Sequence, residues 1–422
     1  MYIVYSLLLV CLLLLSSPWW ILQILRQGKY RAGLRERLGF VPKRLSQATK
    51  GGIWIHAVSV GEVLAIGNLV RELRQYPVCV STTTQTGQEQ ARNRFGADKS
   101  FFLPIDMGFA VRPFLNALQP RLLVLAETEF WPNLLHLARK RGVRIAVVNA
   151  RISDRSFPRY RRFRWFFQRV LQNIDLFLVQ TKEDGIRLLA IGAPRERIQV
   201  SGNLKFDIRP ATDSAIVDDL RQALAKDSRV IVCGSTTEGE EEILLQGFRD
   251  VLRQHPSAVM VLAPRHPERF DKVANLISTT EIGLVRRSSW AASCPISGGV
   301  FLLDSVGELA SIYALADLAF VGGSLVPVGG HNILEPAQYG VAVLTGPYTF
   351  NFREIVRIFE QGGGLKVVTE QQLSQELLRL LQDREARTLL GNRAKQLFLQ
   401  NTGATPKTMK ALQDLLAGER AQ

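Results

Sequence analysis

The chain has 422 residues, of which 46% are hydrophobic and 22% are charged, so it can bury two globular cores and is not intrinsically disordered. Its formal net charge of +15 favours an anionic partner. The candidates are nucleic acid, an anionic membrane surface and a phosphorylated substrate. The four cysteines lie singly, with no CxxC pair, which argues against a zinc or disulfide framework.

The N-terminal segment has the pattern of a membrane anchor. Residues 1–25 carry no charged side chain, and about 20 apolar residues are enough to span a bilayer. The cations that follow this segment are Arg26, Lys29, Arg31, Arg35, Arg37, Lys43 and Arg44. A cleaved signal peptide has its cations before the apolar run, and here they come after it. The positive-inside rule therefore predicts a single-pass anchor in the inner membrane, with the rest of the chain on the cytoplasmic face.

Short apolar runs alternate with helical segments along the rest of the chain. Buried strands are predicted in the first half at residues 53–58, 78–82, 122–126, 145–149 and 176–179. A second series is predicted at residues 230–233, 259–263, 301–303, 318–321 and 341–344. Such alternation is typical of parallel sheets with helices on both faces. The predicted fold is therefore α/β, with two Rossmann-like doubly wound domains in tandem after the anchor helix.

The boundary between the domains is predicted near residues 206–214, where aspartates and a proline interrupt the pattern. This divides the chain into the anchor (1–25), a first Rossmann-like domain (26–209) and a second Rossmann-like domain (210–422). The last helix is able to pack back on the first domain. Ligands of doubly wound sheets bind beyond the carboxyl ends of the strands, so the ligand site is expected in the cleft between the domains.

Two acidic segments follow predicted strands of the first domain. Gly61 and Glu62 begin a helix directly after the first strand. The helix dipole is expected to keep Glu62 ionised and able to take a proton from an attacking hydroxyl, although a plain capping role is the common alternative. Glu127 and Glu129 follow the strand at 122–126. Their spacing would place them on opposite sides of a continuing strand, and Glu127 is preferred as the residue that faces the ligand.

Residues 151–169 combine seven arginines with six aromatic residues. Such interleaving occurs in proteins that bind single-stranded nucleic acid and in surfaces that lie among phospholipid headgroups. Because the chain is predicted to be anchored in a membrane, the lipid interpretation is favoured, and no nucleic-acid partner is expected.

Three basic residues are candidates for binding an anionic ligand. Lys205 lies just before the predicted linker, where it could neutralise charge on a leaving phosphate. Arg265 and His266 emerge at the end of the strand at 259–263. An arginine at that place suits a phosphate or a carboxylate because its donors form a planar fork.

The sequence VGGSLVPVGGHNILEP, residues 321–336, follows an apolar strand and precedes a helix. Its candidate residues are Gly322, Gly323, Ser324, Gly330 and His331. A glycine-rich turn before a helix suits a phosphate, because the backbone approaches the ligand and the first N–H groups of the helix are free. A glycine turn beside the core is an equally good interpretation from this stretch alone, and His331 is open between packing and phosphate contact.

Metal-assisted chemistry is not indicated. The five histidines are dispersed and no DxD triplet occurs. The sequence therefore favours a leaving group that is stabilised by protein donors, without a metal ion or other cofactor.

Together these segments resemble the membrane-anchored 3-deoxy-D-manno-octulosonic acid (Kdo) transferases of lipopolysaccharide synthesis. The matching blocks are HAVSVGE (56–62), ETEFWPN (127–133), NARISDRS (149–156), SGNLKFD (201–207), PRHPERF (264–270), FVGGSLVPVGGHNILEPA (320–337) and GPYTFNF (346–352). They occur in the family's order and span nearly the whole chain after the anchor.

The resemblance implies a glycosyltransferase with two Rossmann-like domains (the GT-B fold) that transfers Kdo from CMP-Kdo to lipid IVA, the tetraacyl precursor of lipid A. The anomeric centre would be inverted without a metal. Glu62 is similar to the family's general base, and Glu127 and Lys205 to its transition-state stabilisers. The residues similar to the CMP site are Pro264, Arg265, Gly307, Glu308, Leu309, Asn332, Ile333, Leu334 and Glu335. A GT-B enzyme that uses a UDP- or ADP-sugar is the nearest alternative.

Overall fold

The computed structural model describes residues 1–27, 33–208, 214–292 and 294–418. The chain divides into two compact units: unit 1 contains residues Met1–Asp207 and Thr402–Gln422, and unit 2 contains residues Ile208–Asn401. Most of the predicted linker, residues 209–213, lies outside the described residues. The end of the chain belongs to unit 1, where the Asp207 carboxylate accepts a hydrogen bond of 2.6 Å from the Gly403 N–H at the start of the last helix.

Within its described residues, unit 1 is built on a parallel sheet of seven strands in the order β3-β2-β1-β4-β5-β6-β7. The strands are β1 (Ile53–His56), β2 (Val78–Thr82), β3 (Ser100–Phe102), β4 (Leu122–Ala126), β5 (Arg144–Ala150), β6 (Leu176–Val179) and β7 (Ile198–Val200). The order reverses between β1 and β4, and at such a switch point the loops after the strands leave a crevice for a ligand.

The helices of the first half of the chain cover both faces of this sheet, and apolar cores lie on each side of it. They are α1 (Tyr2–Gln27), α2 (Leu34–Arg37), α3 (Lys43–Thr49), α4 (Val60–Ala65), α5 (Gly67–Glu72), α6 (Gln85–Phe95), α7 (Gly108–Leu118), α8 (Pro132–Lys140), α9 (Phe157–Arg162), α10 (Arg164–Leu171) and α11 (Lys182–Ala190).

Unit 2 repeats the plan with seven parallel strands among its described residues, in the order β10-β11-β9-β8-β12-β13-β14. They are β8 (Val230–Thr236), β9 (Val259–Pro264), β10 (Leu284–Arg286), β11 (Gly299–Leu302), β12 (Leu318–Val321), β13 (Ala342–Thr345) and β14 (Lys366–Val367). Here the order reverses between β8 and β12, so the turns after these two strands flank the switch point.

Helices again cover both faces of the second sheet. They are α12 (Ala215–Ala223), α13 (Glu240–Gln254), α14 (Phe270–Ser278), α15 (Leu309–Ile312), α16 (Leu334–Ala337), α17 (Arg353–Gln361), α18 (Glu370–Gln382) and α19 (Arg384–Asn401), followed by α20 (Ala404–Ala417), which belongs to unit 1. The predicted α/β fold with two doubly wound sheets is confirmed.

The N-terminal segment forms α1, and its first turns contact unit 1. The Tyr2 ring stacks on His136 at 3.8 Å between ring centroids. Asn133 donates a hydrogen bond of 3.0 Å to the Ser6 hydroxyl. No helix within the described part of the chain is both long and apolar enough to span a bilayer. The single-pass anchor therefore stays a prediction.

Candidate active site

Glu62 lies at the end of the first strand of unit 1, and its carboxylate is held by the turn that precedes it. Ser59 is the N-cap of α4 and accepts a hydrogen bond from the Glu62 N–H. In return, Glu62 Oε1 accepts from the Ser59 hydroxyl at 2.8 Å, and its Oε2 accepts from the Val58 N–H at 2.8 Å. This arrangement is similar to a capping box, except that the carboxylate accepts from the Val58 N–H and the Ser59 hydroxyl instead of the N-cap N–H. It fixes the direction of the carboxylate and leaves lone pairs for a further partner.

The electrostatics of Glu62 differ from the sequence-based expectation. Burial, followed by the nearby charges of Glu127 and Glu129, raises the pKa of this carboxyl to about 7, against the two hydrogen bonds that lower it. The prediction that the helix dipole would keep Glu62 fully ionised was wrong, because desolvation outweighs the helix start. A carboxyl with a pKa near neutral is a better proton acceptor at physiological pH than an ordinary glutamate.

Two residues in the left-handed backbone region lie at the carboxyl ends of neighbouring strands, Glu127 directly after β4 and Asn149 next to last in β5. Glu127 has φ 58° and Asn149 has φ 55°, conformations that cost about 1–2 kcal/mol for residues other than glycine. The Glu127 N–H donates to the Val148 carbonyl at 2.8 Å. The strand therefore ends at Ala126, and the expected alternation of Glu127 and Glu129 across a continuing strand does not arise.

Glu127 forms an ion pair with Lys205, whose Nζ lies 3.1 Å from Glu127 Oε1. Lys205 is placed by two amide side chains. Asn203 accepts from the Lys205 N–H at 3.0 Å, and Asn149 Oδ1 accepts from the Leu204 N–H at 2.9 Å. Residues distant in sequence are thereby brought beside Glu62.

Glu129 belongs to the same acidic group. Burial and the charge of Glu127 raise the pKa of Glu129, and the charge of Glu129 contributes to the raised pKa of Tyr160. The charges of both Glu127 and Glu129 raise the pKa of Glu62. The preference for Glu127 as the residue that faces the ligand stays a prediction. Gly61, the other candidate of this turn, is exposed within α4.

The glycine turn after β12 is occupied by a carboxylate of the protein itself. Glu240, which is fully buried, accepts hydrogen bonds from the N–H groups of Gly323 at 2.6 Å, Ser324 at 2.8 Å and Leu325 at 2.8 Å. The N–H groups of Gly323 and Ser324 are therefore satisfied within unit 2 and are not free for a ligand phosphate. The Gly322 N–H instead donates to the Gly234 carbonyl at 2.9 Å, as part of the pairing between β12 and β8.

His331 packs against this turn, and a Cβ added to Gly323 would come within 2.7 Å of its ring. Gly330 connects the two ends of the segment, because its N–H donates to the Gly323 carbonyl at 2.6 Å. Burial lowers the pKa of His331 to about 4, and the positive charges of Arg265 and His266 add to this effect. His331 Nε2 is buried and has no hydrogen-bond partner among the residues that the structure describes. His331 is therefore a neutral imidazole that faces the Arg265 side of unit 2.

Asn332, just before α16, contacts Glu335 in the first turn of that helix. Asn332 donates to Glu335 Oε1 at 3.2 Å and accepts from the Leu334 N–H at 3.2 Å. Burial raises the pKa of Glu335, whereas this hydrogen bond and the charge of Arg265 lower it. Ile333 and Leu334 are buried in the core of unit 2. Their side chains therefore support the turn, and only their backbone groups remain candidates for ligand contact.

The other candidates of unit 2 lie in two turns. Pro264 ends β9, and the Arg265 N–H donates to the Thr236 carbonyl at 2.9 Å. His266 is exposed beside Glu268, with 3.8 Å between the ring nitrogen and the carboxylate. Gly307 has φ 96°, and Glu308 forms an ion pair with Arg287 at 3.1 Å just before Leu309 begins α15. Glu308 is thus already neutralised by a residue of its own unit.

The six aromatic residues of the arginine-rich segment divide into two groups. Phe157, Tyr160, Phe166 and Phe167 pack on the core of unit 1. Phe163 and Trp165 are exposed by 46% and 63%. Only these two, with the surrounding arginines, are available to an external surface.

Sequence reasoning missed Ser59, Asn149 and Glu240. The S-x-x-E spacing of the capping box was a usable signal for Ser59. Asn149 binds Leu204, 55 residues away, and Glu240 binds Gly323, 83 residues away. No local sequence pattern indicates contacts at such separations.

Comparison with known proteins decides the family. The model described as 3-deoxy-D-manno-octulosonic-acid transferase matches residues 32–208, and that of glycosyl transferases group 1 matches residues 240–397. The 3-deoxy-D-manno-octulosonic acid transferase of Haemophilus influenzae is 38% identical, covering 97% of each chain. The chain belongs to the Kdo transferase family. It is a glycosyltransferase.

Two further relatives fit this assignment. The transferase of the same description from Bordetella pertussis is 34% identical, covering 92% of this chain and 93% of its own. The crystal structure of a UDP-GlcNAc 2-epimerase from Neisseria meningitidis has a TM-score of 0.53 at 14% identity, covering 87% of this chain and 100% of its own. At that identity the likeness concerns the fold alone.

Proposed function

We propose that this Kdo transferase moves Kdo from CMP-Kdo to the lipid A precursor lipid IVA, inverting the anomeric centre without a metal ion. In this reaction the acceptor hydroxyl oxygen forms a bond to the anomeric carbon, and its proton passes to the Glu62 carboxylate. The bond from that carbon to the CMP phosphate breaks, and its electron pair leaves with the phosphate oxygen. One displacement of this kind inverts the centre.

The observation that carries the proposal is the state of Glu62. Its carboxylate is oriented by Val58 and Ser59, and burial raises its pKa to about 7. An oriented carboxylate with a neutral pKa, beside the switch point of a doubly wound sheet, has the properties of a general base.

The pair formed by Glu127 and Lys205 suits the charges of the transition state. The anomeric carbon of Kdo gains positive character as CMP leaves, and the Glu127 carboxylate stabilises it. Kdo also bears a carboxylate at this carbon, and the Lys205 ammonium offsets that negative charge. Because the two side chains are already 3.1 Å apart, little reorganisation is needed when the charges develop.

Unit 2 is proposed to bind the CMP moiety through Arg265 and the segment from His331 to Glu335. Arg265 supplies a guanidinium for the phosphate. The Glu335 carboxylate is suited to accept hydrogen bonds from ribose hydroxyls. The neutral His331 adds a hydrogen-bonding edge without a competing charge.

We also propose that the enzyme is attached to the inner membrane, where its glycolipid acceptor is found. Among the side chains of α1 that the structure describes, the exposed large apolar ones are Ile3, Val4, Leu7, Leu8, Val10, Leu12, Leu14 and Leu15. With Phe163, Trp165 and the neighbouring arginines they suit a surface among anionic lipids. Introducing a cysteine at Ile3 in a background with Cys11→Ser and Cys294→Ser, which removes both exposed cysteines, tests the geometry. Labelling from the periplasm supports a single-pass anchor, and labelling from the cytoplasm indicates a helix on the membrane surface.

The central experiment is transfer by the purified enzyme in detergent. We expect product only when lipid IVA is supplied with CMP-Kdo, and expect the rate to persist in excess EDTA. Mass analysis of the lipid gives the number of Kdo residues added. Consumption of a UDP- or ADP-sugar in place of CMP-Kdo would refute the donor assignment and favour another GT-B activity.

A further inference from the structure

The carboxylate of Glu240 is bound almost entirely by backbone N–H groups. Its Oε1 accepts from the Ser324 and Leu325 N–H groups, both at 2.8 Å. Its Oε2 accepts from the Gly323 N–H at 2.6 Å, and from the N–H and hydroxyl of Thr237 at 2.9 and 3.0 Å. Successive N–H groups that converge on an anion form the kind of nest that elsewhere binds phosphate.

The glycine turn also packs closely against the Glu240 side chain. A Cβ added to Gly322 would lie 2.9 Å from Glu240 Oε2 and 2.8 Å from the Thr236 Cα. The glycine therefore allows the carboxylate and the β8 turn to approach. The side chain of Glu240 is fully buried, and a buried carboxylate is stable only when its oxygens are well bonded.

The segment from this turn to the proposed CMP-binding residues is continuous and cross-linked. Gly323, whose N–H binds Glu240, accepts from the Gly330 N–H through its carbonyl at 2.6 Å. The His331 ring lies against Gly323. Asn332 and the face it shares with Glu335 follow directly in the chain. A displacement of Gly323 would therefore move His331 and Asn332.

We propose that Glu240 is a positioning residue for the nucleotide side of the reaction. Its carboxylate takes the place of a ligand anion in the glycine turn and holds His331 and Asn332 in their binding geometry. The inference rests on the proposed function in treating this segment as the CMP site. It also implies that the donor phosphate is bound by other groups, because the nest is already filled.

The comparison between Glu240 and Glu62 supports this division of roles. Ser59-Val60-Gly61-Glu62 and Thr237-Glu238-Gly239-Glu240 share the pattern S/T-x-G-E, and each follows the strand at the switch point of its own sheet, β1 or β8. Within the described part of the chain, the Glu62 carboxylate accepts hydrogen bonds from its own turn only. Glu240 is also bonded to the turn of the neighbouring strand β12. With the same motif, the Glu62 carboxylate is available for proton transfer, whereas the Glu240 carboxylate holds the turn after β12.

The decisive variant is Glu240→Gln. Each oxygen of Glu240 accepts from at least two donors. In glutamine one of these oxygens is replaced by an NH2 group, so in either orientation of the amide a donor faces backbone N–H donors. We expect a rise of at least tenfold in KM for the sugar nucleotide, with KM for the lipid acceptor within twofold of wild type. Glu242→Gln is the matched control, because Glu242 lies two residues further along α13 and is exposed. We expect this variant to keep both KM values of wild type.

Chemical rescue separates charge from packing. Glu240→Ala removes a CH2–COO⁻ group, which acetate replaces. We expect acetate to restore nucleotide affinity at least fivefold in Glu240→Ala, and the neutral isostere acetamide to have no effect. Equal rescue by the two compounds, or unchanged nucleotide KM in Glu240→Gln, would overturn the proposal. Failure of unit 2 to fold in both variants, with or without acetate, would likewise show a purely structural role.

A readout independent of the substrate keeps this test separate from the proposed function. Hydrogen exchange at the amides of Gly323, Ser324 and Leu325 is expected to accelerate at least tenfold in Glu240→Gln, with β12 still protected. Calorimetry with CMP provides the other arm. If wild type binds no CMP, the donor assignment fails while the exchange result still decides the role of Glu240. If wild type binds CMP and the amides of Glu240→Gln remain protected, the positioning role fails.

Discussion

Lys205 Nζ and Glu127 Oε1 lie 3.1 Å apart, and the side chains are exposed by 30% and 25%. A partly exposed pair of this kind contributes only about 0–1 kcal/mol to stability. Its larger effect concerns Glu62, because the negative charge of Glu127 raises the pKa of Glu62 and Lys205 offsets that charge. The pair therefore adjusts the proton affinity of the proposed base.

Opposite shifts of the pH–rate profile are expected when each member of this pair is neutralised. Activity should rise with pH through about 7 in wild type, because the base must lose its proton. Glu127→Gln removes a negative charge, so the pKa of Glu62 falls and the acidic limb moves to lower pH. Lys205→Met leaves Glu127 uncompensated, so the limb moves to higher pH. Profiles of kcat/KM measure both shifts, and a common direction for the two variants would contradict the electrostatic coupling.

Replacing Glu62 by glutamine should remove the base and preserve its shape. One amide orientation keeps the hydrogen bond from Val58 or from Ser59, but the amide does not accept a proton at neutral pH. We expect kcat to fall about 10²–10⁴-fold, with CMP binding within twofold of wild type by calorimetry. Ser59→Ala is a graded companion, because it removes only one of the bonds that orient the carboxylate. Substantial turnover by Glu62→Gln would exclude the base role.

The same substitution should stabilise the protein above neutral pH. The folded-state pKa of Glu62 is about 7 against an ordinary value of 4.5, so the folded state binds the proton more tightly than the unfolded chain. Stability is therefore lost as pH rises from about 4.5 to 7, by at most about 3 kcal/mol. Glu62→Gln lacks this loss. Its unfolding midpoint should exceed that of wild type at pH 8, and the difference should vanish near pH 4. A constant difference across this range would contradict the raised pKa.

Asn149 provides a test of how Lys205 is placed. Asn149→Gly and Asn149→Ala both remove the acceptor for the Leu204 N–H, so both should lower kcat by a similar factor, about tenfold. They should differ in stability, because alanine must adopt φ 55° at a cost of about 1–2 kcal/mol relative to glycine. Denaturant unfolding and steady-state kinetics of the two variants measure these effects separately. Equal stabilities would argue against strain at this position.

The strands at the centre of each sheet were predictable because they are continuous apolar runs, and β2, β4, β6 and β12 have the predicted bounds. The short strands β3, β7, β10 and β14 were missed. They lie at or near sheet edges, where two or three residues carry too little periodicity to be read. The helix predicted to begin at Gly61 and Glu62 begins at Val60, and it is short because α4 and α5 divide at Ile66.

The candidate site shows the same limit. Placement after a strand was enough to select Glu62 and Glu127, because the carboxyl ends of parallel strands share one edge. The pKa of Glu62 was not predictable, since it depends on burial and on charges from another loop. The glycine turn illustrates this most directly. The sequence indicated that the glycine turn within residues 321–336 suits an anion, but not that Glu240, 83 residues away from Gly323, fills it.

The exposed aromatic residues of α10 and its N-cap should contribute to membrane binding. Phe163 and Trp165 are exposed, whereas Phe166 and Phe167 pack on the core. Removing the first two therefore tests the surface without disturbing the fold. Phe163→Ser with Trp165→Ser should weaken binding to vesicles that contain anionic lipid by about tenfold or more, since each buried aromatic side chain contributes about 1.5–3 kcal/mol. Ile186→Ser is the matched control, because Ile186 is equally exposed, at 65%, on α11 of the same unit. Vesicle flotation measures the effect, and an equal loss in the control would show that the decrease is not specific to this surface.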